Sequence, residues 1–102
     1  MANAPKLFYR GQLTAVLSTL LGTVPTGKTW IITDIVIVNQ LSTSAAVTIY
    51  LATFNLIPAA TLGPGDIFTW EGKQVLNSTD TLKGGSAPAA VTCHISGVEV
   101  TP

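Results

Sequence analysis

The sequence predicts an all-β chain, a small antiparallel β-sandwich or jelly-roll-like domain of about seven to nine short strands with an N-terminal arm. Three observations predict it. WIITDIVIVN is a run rich in β-branched residues, and AAVTIYLA and AVTCHISGVEV alternate with a period of two. Turn-forming clusters (NQLSTSA, LGPGD, EGK, NSTD, KGGSAP) separate these runs, at the spacing of about 8–12 residues usual in sandwiches and barrels. No segment offers an amphipathic helix of three turns. A chain of 102 residues makes one domain and buries roughly two thirds of its unfolded surface, enough for a core without metal or disulfide.

Taken in order, residues 1–20 read as an N-terminal arm or edge segment and residues 21–102 as the sandwich. KLFYR is a weak strand signal, and Pro5, Phe8, Tyr9 and Arg10 suit a segment that lies across the domain or reaches a neighbour. On this reading, removal of residues 1–10 leaves a folded sandwich that attaches less tightly. LTAVLSTLL (Leu13–Leu21) is a short helix or an edge strand; its Thr and Val content and the flanking Gly11 and Gly22 favour extended structure. TLLGTV is a strand before the lysine loop, and Trp30–Asn39 is a central strand. In Ala45–Ala52, Val47, Ile49 and Leu51 face one way and Thr48 and Tyr50 the other. Strands follow around Asn55–Leu62, at Ile67–Trp70 after the GPGD turn, and at TLK near Lys83. In Ala90–Val100, Val91, Cys93 and Ile95 share a side. Gly97 marks a bulge or a close backbone approach, after which Val98 and Val100 turn inward.

Composition narrows the function. The chain is 47% apolar and 10% charged, with five basic and five acidic side chains, against about 25% charged in ordinary soluble domains. Such a surface is covered by Thr, Ser, Asn and Gln or by another protein. Lys6, Arg10, Lys28, Lys73 and Lys83 are scattered, so no basic patch offers itself to nucleic acid. The single Cys93 forms no internal disulfide. No signal-peptide run opens the chain, and its longest apolar stretch, Ile35–Val38, is far too short for a bilayer. Synthesis and folding in a cytoplasm are expected.

One motif demands a decision. GTVPTGKT, Gly22–Thr29, fits the phosphate-loop pattern G-x-x-x-x-G-K-[ST]. That loop works by opening a helix whose N–H groups cradle phosphate, yet here a β-branched run follows at Trp30. Asp34 lies on that same run, whereas a metal-holding acid would sit on a separate strand. The stretch therefore reads as a chain reversal, with Pro25 at the second turn position, Gly27 at positive φ and Lys28 at the tip in water.

The remaining candidates read as structural. Cys93 and His94 are adjacent on a strand and point apart, so they form no catalytic pair and no metal site. Asp66 and Asp80 follow turn signals and cap turns. Glu99 could pair with a lysine. Asp34, among apolar residues, is assigned to an interface or loop contact. Trp30 and Trp70 leave a sugar-stacking role open as a lesser alternative. No catalytic residue, cofactor or metal ligand is assigned, and an enzyme is not expected.

The order KLFYRGQL, TVPTGKTWIITDIVIVNQ, AAVTIYLA, LIPAATLGPGD, IFTWEGKQVLNSTDTLKGGSAPAAVTCHISGVEV resembles a family of small β-rich virion proteins of tailed bacteriophages. The likeness runs from Lys6 to Val100. It rests on Val24-Pro25, Asn39, Val75-Leu76, Asp80-Thr81-Leu82 and Ile95-Ser96-Gly97-Val98-Glu99, which are packing and turn signals. It implies a structural part of a particle assembled in the host cytoplasm. The first expectation is a capsid decoration (cement) protein bound to the major capsid protein or other virion proteins, as a homo-oligomer such as a trimer. The alternatives are a tail or head–tail structural protein and a host- or carbohydrate-binding module. No nucleic acid or membrane is expected as partner. Leu7, Phe8, Tyr9, Arg10 and Asp34 are the candidate interface.

Overall fold

The computed structural model of the chain describes residues 2–16, 18–52, 54–89 and 91–101. Among the described residues eight strands follow one another: β1 (Ala2–Gln12), β2 (Leu20–Thr23), β3 (Thr29–Val38), β4 (Ala45–Leu51), β5 (Phe54–Leu62), β6 (Ile67–Leu76), β7 (Thr81–Ala87) and β8 (Thr92–Thr101). They build two four-stranded sheets, sheet A in the order β1-β8-β3-β6 and sheet B in the order β2-β7-β4-β5. Every pairing is antiparallel. The fold class is the expected one, and this strand order is that of an eight-stranded jelly roll. No helix occurs among the described residues.

The core lies between the sheets. Ile32, Ile35, Ile37, Cys93 and Ile95 of sheet A meet Val47, Ile49, Ile57, Leu62 and Leu82 of sheet B. Burying an aliphatic side chain of this size contributes about 1.5–3 kcal/mol relative to leaving it in water. Asn39 is fully buried at the end of β3. Its amide nitrogen donates to the carbonyls of Thr43 and Leu62 at 2.9 and 3.0 Å, and its Oδ1 accepts from the Leu41 N–H at 3.0 Å. It thereby ties the β3–β4 and β5–β6 loops together.

Two bulges decide which way side chains point in sheet A. Ile32 pairs with Gly97 and Asp34 with Ser96, so β3 carries Thr33 as an extra residue. Leu7 pairs with Ser96 and Tyr9 with Ile95, so β1 carries Phe8 as an extra residue. The backbone does approach closely at Gly97: a Cβ there would lie 1.9 Å from the Ile31 carbonyl oxygen. The extra residues, however, sit on its neighbours, and β8 keeps its alternation. Val98 and Val100 therefore do not turn inward. Val98 lies beside Ile31 and Pro5 on the outer face, while Glu99, paired with Trp30, faces in.

Two loop assignments, EGK and KGGSAP, and the extended reading of Leu13–Leu21 differ from what is observed. EGK is not a turn, because β6 continues through it along the long central β3. Most of KGGSAP is strand β7; Gly84 is needed because a Cβ would sit 2.7 Å from Ile49 Cδ1 and 2.8 Å from the Thr48 carbonyl. Among the described residues of Leu13–Leu21, only Leu20 and Leu21 are strand. The Thr14 and Thr19 carbonyls instead accept the Ser86 and Gly84 N–H groups, so the segment follows β7 without forming a ladder. The amino end is the edge strand of sheet A, paired with β8 along its length.

Candidate interaction surface

The lysine loop comes first. The Lys28 N–H donates to the Pro25 carbonyl at 3.1 Å, closing a turn in which Gly27 has φ 82°. Pro25 is thus the first turn residue and Thr26 the second. The Gly27 N–H donates to Ser78 Oγ at 2.9 Å, and β3 begins at Thr29. The Gly27 and Lys28 N–H groups are thus engaged within the protein, and no helix supplies the donor row a phosphate needs. Nor does Lys28 stand free in water: its Nζ lies 3.3 Å from Glu99 Oε1.

Glu99 is the hub of this end of the sheet. Its Oε2 accepts from Trp30 Nε1 and from Lys6 Nζ, each at 2.9 Å. The Trp30 indole N–H, then Lys6 and more weakly Lys28 hold its carboxyl down at about 2. Phe8 stacks on Trp30 with ring centroids 4.4 Å apart, and Lys6 lies 5.5 Å from the centroid of the Trp30 ring. All these groups satisfy one another. The constellation is a clasp between β1, β3 and β8, and Trp30, 5% exposed, is no sugar platform.

The structure divides the five candidate interface residues. Phe8, 8% exposed, belongs to the core, because the β1 bulge turns it inward. Tyr9 packs against the core and donates its hydroxyl to the Gln12 carbonyl at 2.9 Å. Leu7, Arg10 and Asp34 do come together, on the outer face of sheet A, where directly paired residues share a side. Register sets three rows across the four strands there. Pro5, Val98, Ile31 and Val75 form an apolar row. Leu7, Ser96, Asp34 and Glu71 form the next, and Arg10, His94, Val36 and Thr69 the one after. Leu7 and Val75 are 45% and 56% exposed. Arg10 Nε donates to His94 Nδ1 at 3.1 Å. Asp34 and Glu71 sit opposite each other and form no ion pair among the described residues.

A second exposed apolar region lies at the far edge of the sandwich. Phe54, at the start of β5, is 77% exposed. It borders a groove that Leu51 and Leu56 share with Val75 and Leu76 of β6. Sequence reasoning missed Glu71, Val75 and Phe54 as surface candidates. Reading EGK as strand would have kept Glu71 and Val75 in one strand, and only the register with β3 puts them on the face of Asp34. For Phe54 the sequence gives no signal, since a phenylalanine opening a strand is ordinarily core.

Cys93 is fully buried, and burial pushes its thiol up to about 12, so it is no nucleophile at neutral pH. Asp66 and Asp80 cap their turns, accepting from the Gly63 and Asn77 N–H groups at 2.8 and 2.9 Å. Among the described residues no three His, Cys, Asp or Glu side chains are placed to hold a metal, and no helix is long and apolar enough to cross a membrane. Comparison of the chain with protein-family models, with curated proteins and with solved structures finds no match.

Proposed function

We propose that this protein is a structural component of a tailed-bacteriophage virion, a decoration protein that braces the head by binding across neighbouring subunits of the major capsid protein. The observation that carries the reading is the exposed apolar edge. Phe54, the most exposed large hydrophobic side chain among the described residues, overhangs a groove between the two sheets, on a chain that has only ten charged side chains to keep a bare surface in water. The resemblance of Lys6–Val100 to small virion proteins supports it, as does a jelly roll, an architecture well suited to shells. Each contact gains about 25 cal/mol per Å² of apolar surface covered, offset in part by the cost of association. Repeated over a shell, small contacts add up.

The test is an electron-microscopic reconstruction of particles carrying the protein. Density for the jelly roll spread over the head surface, at junctions between capsid subunits, is the expected result. Density confined to the tail would replace the decoration role with a tail role, and absence from the particle would end the virion reading.

A further inference from the structure

The outer face of sheet A is self-complementary, and we infer that it seats a second copy of this chain in a two-fold dimer. The inference does not rest on the virion reading. Three features make the face so: the apolar row Pro5–Val98–Ile31–Val75, the bases Arg10 and His94 on the β1 side, and the acids Asp34 and Glu71 on the β6 side.

A two-fold axis lying in the interface along the strands reverses strand order and preserves rows. It lays β1 of one copy over β6 of the other. The apolar row then meets itself in reverse, Pro5 against Val75 and Val98 against Ile31. Arg10 of each copy falls within one row of Glu71 in the other, and His94 within one row of Asp34. Every contact occurs twice, as an isologous interface requires. An axis across the strands would instead lay bases on bases and acids on acids.

The free monomer has a reason to accept this partner. Like charges directly opposite on adjacent strands repel, and Asp34 and Glu71 are such a pair, with no cation bound to either among the described residues. Arg10 likewise has, among the described residues, only the ring nitrogen of His94 as side-chain hydrogen-bond partner. The extent is adequate. Four strands about 4.8 Å apart and about ten residues long make a face of about 600 Å². Pairing buries about 1,200 Å² in all, the lower end of the range for specific complexes. The two sheets would then stack as aligned sheets do in any sandwich.

Analytical ultracentrifugation of the full chain at high micromolar concentration tests the assignment. The parent is expected to sediment as a dimer. Arg10→Glu and Glu71→Arg should each weaken dimerisation about tenfold or more. Because each variant carries the charge the other now lacks, an equimolar mixture of the two should dimerise again as a heterodimer. Val75→Asp should abolish pairing by placing an acid in the apolar row. All three positions are exposed, and unchanged circular dichroism verifies the fold. A monomeric or trimeric parent overturns the inference, including a monomer that uses this face to bind particles. So does a dimer indifferent to these changes, or a mixture that fails to restore it.

Discussion

Glu99 illustrates what a single residue can reveal and conceal in sequence. A lysine partner could be anticipated, but two lysines and an indole could not, because Lys6 is 93 positions away and Lys28 is 71. Only the strand register brings them to one carboxylate. The pairing makes a pH prediction. In the folded chain the carboxyl is held at about 2 by Trp30, Lys6 and Lys28, below its ordinary 4.5. A lowered folded-state value means that the stabilisation is fully present above about 4.5 and is lost as pH falls towards about 2. Thermal melts across that window should show the midpoint falling with acid, and Glu99→Gln should flatten much of the fall while lowering the midpoint at neutral pH. An unchanged acid profile in Glu99→Gln would show that the clasp contributes nothing to stability. Asp34 carries a similar lesson. Strict alternation from Trp30 and Ile32 would bury it, and only the extra residue Thr33 turns it to the outer face. A bulge has no reliable signature in a run of β-branched residues.

At the scale of the element, β1 takes the edge position, the second of the two places expected of the amino end, and is no free arm. It covers the edge of β8 and inserts Phe8 against Trp30. The bulge therefore assigns opposite roles to two adjacent apolar residues. Phe8→Ala should cost about 3 kcal/mol in urea unfolding, as expected for truncating a buried aromatic. Leu7→Ala, 45% exposed in the monomer, should stay within about 0.5 kcal/mol. Equal effects would mean that β1 is not registered on β8 as described. Removing residues 1–10 should accordingly give a chain that aggregates or melts without cooperativity, since it strips a ladder and opens a strand edge. Where alternation was clean, in β4 and β8, and where a long β-branched run stood, in β3, the sequence revealed the strands directly. Where glycines entered a strand, in β6 and β7, composition suggested turns. Gly84 and Gly97 are there because a neighbouring strand leaves no room for a Cβ, a tertiary fact that composition does not encode.

For the molecule as a whole, class was legible and order was not. Period-two alternation is local, so it reveals strands one by one. The arrangement β1-β8-β3-β6 over β2-β7-β4-β5 joins strands from opposite ends of the chain, and nothing in a single strand names its partner. That order creates the two apolar surfaces. It aligns Pro5, Val98, Ile31 and Val75 across one sheet, and it brings the start of β5 beside the end of β6, leaving Phe54 outside. If the sheet A face pairs two copies and the β5–β6 groove grips the capsid, the two functions should separate under mutation. Phe54→Ser removes a 77% exposed ring, so the unfolding free energy should move by no more than about 0.5 kcal/mol and the dimer should persist. Co-sedimentation with particles lacking the protein should nevertheless weaken about tenfold, the loss expected when an apolar anchor leaves its pocket. Binding as tight as the parent's would remove the groove as the site of attachment, and with it the observation on which the decoration role rests.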